Sequence, residues 1–190
     1  ARFRAFRDDE EIPEREWRGV TPKRLLFRLL VAAGRPVPRA TLLEDLWPDS
    51  DPEQARNHLR VATSRLNDVL EPERPEGVPQ SFVLSEGDAL RVPIEARLRW
   101  DAKCWEESLE LLEGLGDEAR RERTAALFEE FQGPLLADLG PAPWIDALRS
   151  GLAGRWVALG HALARGGLER GDLDGCEHVL SRLLAHDEAD

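Results

Sequence analysis

The run "DPEQARNHLRVATSRLNDVL", residues 51–70, sets Arg56, Asn57, Arg60, Val61, Ser64 and Arg65 at intervals that place them on adjoining faces of one helix. These residue types share a chemistry. A guanidinium grips a phosphate, or the O6/N7 edge of guanine, through two parallel N–H bonds, and an asparagine amide pairs in the same way with adenine. An outward valine meets a thymine methyl, and a serine hydroxyl fixes register on a phosphate. With Leu59, Ala62, Leu66 and Leu70 turned to a core, the opposite face is Asn57, Arg60, Val61, Ser64 and Asp68, flanked by Arg56 and Arg65. The plainer account is a solvated face whose arginines pair with Glu53 or Asp68.

No other constellation competes. His58, His161, His178 and His186 are scattered, and Cys176 and His178, two apart on a helix, point to opposite sides. The glycine clusters lack the strand and Lys-Ser/Thr context of a phosphate loop. No nucleophile has an obvious base partner. The expectation is therefore a protein that is not an enzyme, with no catalytic residues, no metal and no cofactor. Cys104 and Cys176 lack metal-ligand spacing, which points to a reduced cytoplasmic setting. No apolar run approaches the ~20 residues of a membrane span, so no membrane partner is expected. With no Met anywhere in the chain, the expectation is a piece of a longer polypeptide.

Charge poses the difficulty for a polyanion reader. The chain carries 26 Lys+Arg against 37 Asp+Glu, a formal charge of -11. Residues 1–97 hold 16 basic and 18 acidic groups, whereas residues 98–190 hold 10 and 19. The acid load thus belongs to the second half. Surface charges separated by more than the ~8–10 Å Debye length are largely screened at physiological salt.

Several elements would have to position the arginine face. "ARFRAFRDDEEIPEREW" reads as a short hairpin or small sheet. "TPKRLLFRLLVAAGRP" predicts a helix capped by Thr21, with Pro22 first and Gly34 ending it, and with Leu25, Leu26, Leu29, Leu30 and Ala33 inward. A second helix fits "RATLLEDLW", with Leu42, Leu43 and Leu46 inward. The third opens at the cap Asp51 and Pro52. "SFVLSEGDALRVPI" predicts a hairpin turning at Gly87-Asp88. From Asp101, itself read as a cap, the pattern is purely helical. It closes in a helix pair that turns at Gly171-Asp172, with Cys176 at a close approach and Leu180 and Leu183 on one inner face.

The segment "GRPVPRATLLEDLWPDSDPEQARNHLRVATSRL", followed at a distance by "FQGPLLADL" and "PWIDALRSGL", resembles the antibiotic-regulatory (SARP) family of bacterial transcription activators. The resemblance implies a mainly α fold with small β. Residues 1–97 would form an OmpR-type winged helix-turn-helix domain, and residues 98–190 an all-α, TPR-like bacterial transcriptional activation domain, truncated here. It also implies a nucleoid-associated activator that binds double-stranded DNA at repeated sites. The DNA-contacting residues would be Arg56, Asn57, Arg60, Val61, Ser64 and Arg65, with Arg91 on the wing. The loop Pro48, Asp49, Ser50 and Asp51 would face RNA polymerase, and the helical half would bring copies together. Two departures bear on this. Asn67-Asp68 stands where the family carries two basic residues, and the wing tip carries Glu86 and Asp88. Both imply weaker DNA binding, and they keep open the alternative of a protein-interaction module whose winged helix has given up DNA.

Overall fold

The computed structural model describes residues 4–7, 10–93, 100–133, 135, 140 and 142–187. Among the described residues the fold is mainly helical with two small sheets. It divides into two compact units, one formed by Arg2–Leu98 with Asp138–Asp146 and the other by Arg99–Ala137 with Ala147–Asp190 and Ala1.

The first unit opens with an antiparallel hairpin, β1 (Phe6–Arg7) and β2 (Glu10–Glu11), in which Phe6 faces Glu11. A single turn, α1 (Glu14–Trp17), buries Trp17 and ends at Arg18 in the left-handed region, φ 51°. Gly19 follows at φ 117° and is the N-cap of α2 (Val20–Val31). This corrects the expectation that Thr21 caps that helix. A left-handed residue followed by glycine reverses the chain at once, so the helix starts earlier. Pro22 then falls at the third helical position, where an N–H would lack a partner anyway. Leu25, Leu26 and Leu29 are buried as expected, but Leu30 is half-buried and Ala33 is exposed at φ 50°, beyond the helix end. Lys23 is buried and donates to Glu14 at 2.6 Å.

β3 (Val37–Pro38) leads into α3 (Arg39–Leu46), which buries Leu42 and Leu46 and leaves Leu43 half-exposed. α4 (Pro52–Leu70) buries Ala55, Leu59, Ala62, Leu66 and Val69 against this core. The chain returns in β4 (Leu84–Glu86) and β5 (Ala89–Arg91), joined at Gly87, whose φ of 57° suits the first position of a tight hairpin turn. The sheet order is β3-β5-β4, antiparallel throughout, with Val37 opposite Leu90 and Glu86 opposite Ala89.

In the second unit, α5 (Asp101–Leu111) runs through a 3-10 turn at Leu112–Gly114 to α6 (Asp117–Glu130). The N-cap of α5 is Trp100, and Asp101 is its first helical residue, which corrects the expected Asp101 cap. α7 (Pro143–Arg170), apart from its first turn, and α8 (Leu173–Asp187) complete the unit. Gly171 turns between them at φ 76°. Cys176 is buried and donates its thiol to the Ala164 carbonyl at 3.2 Å, and a Cβ on Gly167 would stand 2.7 Å from its sulfur. The close approach expected of this small residue is present. Leu180, expected inward, is exposed, and Val179 takes the buried place between Cys176 and Leu183.

One buried group on α4 runs against the pattern. Asn67 is 1% exposed, and neither its amide nitrogen nor its oxygen has a hydrogen-bond partner among the described residues. An unpaired buried amide costs roughly 1–3 kcal/mol. Replacing Asn67 by the similarly sized Leu should therefore raise the midpoint of urea unfolding by an amount equivalent to about 1 kcal/mol or more. A lowered midpoint would show that the amide is satisfied in solution.

Candidate nucleic-acid interface

α4 begins at Asp51, whose Oδ1 accepts from the backbone N–H of Glu53 at 2.9 Å and of Gln54 at 3.2 Å. Pro52 occupies the next position, where no N–H is needed. The other end is held by Arg7, which donates to the Val69 carbonyl at 2.8 Å and pairs with Glu16 at 3.2 Å. Between these ties the helix hides one stripe and displays another. Arg56, Asn57, His58, Arg60, Ser64 and Asp68 are exposed, while Val61 and Arg65 are half-buried at its flanks.

The displayed side chains differ in their engagement. Arg56 has no partner among the described residues. Arg60 donates to the Asn57 side-chain oxygen at 3.0 Å, one helical turn away. That bond leaves both amide hydrogens of Asn57 and most of the Arg60 N–H groups available. Arg65 reaches 3.4 Å to the carbonyl of Arg18 instead of pairing with Asp68. The Glu53 and Asp68 pairings of the plainer account are not formed. The imidazole of His58 lies 5.9 Å from the Trp47 ring, joining α4 to the end of α3.

The loop before α4 contains Pro48, Asp49 and Asp51 exposed and Ser50 half-buried, with the Ser50 N–H bonded to the Trp47 carbonyl at 3.2 Å. Because Asp51 already occupies the positive end of the α4 dipole, an approaching anion meets a carboxylate there. Contacts to a polyanion would depend on the side chains further along.

The β4–β5 hairpin is electrostatically quiet. Arg91, the candidate on this element, is bound to Glu86, which sits diagonally across from it on the same face of the hairpin. Asp88 lies 3.9 Å from Arg39, which also donates to the Ser85 hydroxyl at 3.2 Å. The helix candidates thus share one face, while Arg91 is held in an ion pair within its own sheet. Sequence reasoning passed over Arg18 and Arg39. Arg18 is 47 positions from Arg65, and its left-handed backbone carries no residue signature. Arg39 meets Asp88 only because β3 pairs with β5.

No protein-family model matches the chain, and no curated protein matches it significantly. Among the described residues, no group of three or more His, Cys, Asp or Glu side chains is placed to hold a metal ion. Nor does any of their helices have the length and apolarity to cross a membrane.

The cap has a direct test. Asp51→Ala leaves two N–H groups of α4 without their side-chain acceptor and should lower stability by about 1 kcal/mol in chemical denaturation. Asp51→Asn, which keeps an acceptor oxygen, should recover most of it. Equal loss in both variants would mean that charge, not capping, is the role of Asp51.

Proposed function

We propose that the chain is a sequence-specific DNA-binding transcriptional regulator of the activator type. In this reading the first unit is a winged helix-turn-helix in which α3 and α4 are the helix-turn-helix pair, α4 enters the major groove, and β4–β5 is the wing. The observation that carries the reading is the exposed face of α4. It shows Arg56, Asn57, Arg60 and Ser64 together on a helix whose other side is fully committed to a core. Asn57 and Arg60 read base edges, while Ser64 and Arg65 set register on phosphates. Val61 supplies an apolar contact at the margin. Arg91 contributes once it leaves Glu86. The loop Pro48–Asp51 faces RNA polymerase, and the second unit, a TPR-like activation domain, serves protein contacts. Leu168, Leu173, Leu180 and Leu184 on α7 and α8 are 46–67% exposed and support such a surface. On α8, Leu173, Leu180 and Leu184 recur along one face.

A second reading is favoured by the hairpin. With Arg91 neutralised by Glu86 and Arg39 beside Asp88, the wing offers little free positive charge. A protein-interaction module that no longer binds DNA would look the same there. Fluorescence anisotropy on duplexes selected from a random pool separates the two. A DNA reader loses affinity steeply with salt, and an interaction module binds no duplex at any salt.

Within the DNA reading, Arg60→Ala should cost about 1–3 kcal/mol on the selected site and relax preference at one base pair. An unchanged ratio of selected to scrambled binding would remove Arg60 from base readout. Arg65→Ala should weaken binding to all sequences alike and flatten the salt slope by about one unit.

The wing makes a separate prediction. Glu86→Gln frees Arg91 and removes one negative charge, so binding to random duplex should strengthen and the salt slope should steepen by about one unit. The double substitution Glu86→Gln/Arg91→Ala should abolish the steepening. If both proteins gained equally, Arg91 would have no part in it.

A further inference from the structure

The second unit contains a recess of about 310 Å³ that the reading above leaves without a role. Its walls are Trp105 and Leu152, both buried, with Phe131 and Leu135 from the stretch after α6. The volume lies at the lower end of the range for small-molecule sites, which combine apolar walls with a few polar groups. Two features of the walls narrow the occupant.

The first is an aromatic corner. The Trp105 and Phe131 rings both line the recess, with centroids 5.9 Å apart and planes inclined by 48°, and Phe131 is in turn held by stacking on Trp156 at 5.1 Å. Trp105 is fixed by its indole N–H, which donates to the Leu127 carbonyl at 2.9 Å. The second feature is charge. Among the described residues, the only charged side chains lining the recess are the carboxylates Asp101 and Glu130. Each has one oxygen engaged, Asp101 by the Ala102 N–H at 2.8 Å and Glu130 by Arg123 at 2.9 Å. The other oxygen of each has no partner among the described residues. Aromatic faces and carboxylates both attract a cation, and neither attracts an anion.

We propose that this recess binds a small organic cation with an apolar body, of the arylalkylammonium class. The apolar body fills the space between Trp105, Leu135 and Leu152, and the ammonium sits at the rim against the free oxygens of Asp101 and Glu130. The site lies wholly within the second unit, so it stands or falls independently of DNA binding by α4.

The probe is 2-phenylethylammonium, titrated into the isotope-labelled full chain and followed by the Trp105 indole and Ala102 and Gly133 amide resonances. Its controls are 2-phenylethanol, a neutral isostere, and 3-phenylpropionate, an anion. The ammonium should bind saturably and roughly tenfold more tightly than the alcohol, with the carboxylate weaker again. Asp101→Asn/Glu130→Gln should bring the ammonium down to the affinity of the alcohol while leaving the alcohol unchanged. Ala102→Leu should fill the recess and weaken all three. Should that variant fail to fold, the surface double variant still decides. Shifts that never saturate, equal binding of the three probes, or an ammonium preference that survives the double variant would each overturn the proposal.

Discussion

What α4 shows to solvent is fixed by what it hides. Leu59, Ala62, Leu66 and Val69 follow one another at intervals of three and four, and Leu66 is completely buried in a core that also contains Leu25, Leu29 and Leu42. A helix turns about 100° per residue, so seating that stripe leaves no freedom in the direction of Asn57, Arg60 and Ser64. The energetic scale makes this decisive. Truncating a buried leucine generally costs about 2–5 kcal/mol, whereas an exposed ion pair contributes about 1 kcal/mol or less. No rearrangement of surface arginines competes with the core for the orientation of the helix. Asp51 at one end and Arg7 at the other then limit fraying, so the face is presented along the whole length of α4.

The second unit is organised by a different necessity. The last carbonyls of a helix have no partners within it. At the end of α6 these groups are met by side chains from three other helices. Trp105 of α5 donates to the Leu127 carbonyl, Trp156 of α7 to Phe128 at 2.9 Å, and Arg182 of α8 to both Phe128 and Phe131. Arg182 also pairs with Glu129 and lies over the Phe128 ring, while Phe128 and Trp156 stack with centroids 4.9 Å apart. A cation placed at the negative end of a helix dipole adds to these bonds. The helix terminus, a weak point in isolation, becomes the place where the unit is tied together.

These two constraints explain what was legible in the sequence. The mainly α composition with small β, the Asp51-Pro52 start of α4, the turn at Gly87 and the turn at Gly171 all follow from local chemistry, which a linear chain displays. The exposed side of α4 was readable from its apolar spacing, although at the C-terminal end Val69 is buried and Leu70, expected inward, is only half-buried. On α8 the spacing is ambiguous, since Val179, Leu180, Leu183 and Leu184 offer two overlapping stripes. The choice was made by Cys176 fitting against Gly167, which rotates Leu180 outward. The left-handed backbone at Arg18 moved the start of α2, and no residue type announces such a conformation. The pairing of Arg91 with Glu86 required the strand register, and the burial of Asn67 required the tertiary core. In the candidate site, exposure could be read from periodicity, while the engagement of each charge could not.

The tight contact between Gly167 and Cys176 gives the α7–α8 pair an internal clock. Cys176 is 5% exposed and its thiol is hydrogen-bonded to a carbonyl across the interface, whereas Cys104 is only half-buried. Reagents that alkylate thiols reach a buried Cys176 through local opening of the structure around it. The ratio of labelling rates at the two cysteines therefore reports on local opening around Cys176. Any event that tightens or loosens α7 against α8 is recorded chemically at a single atom.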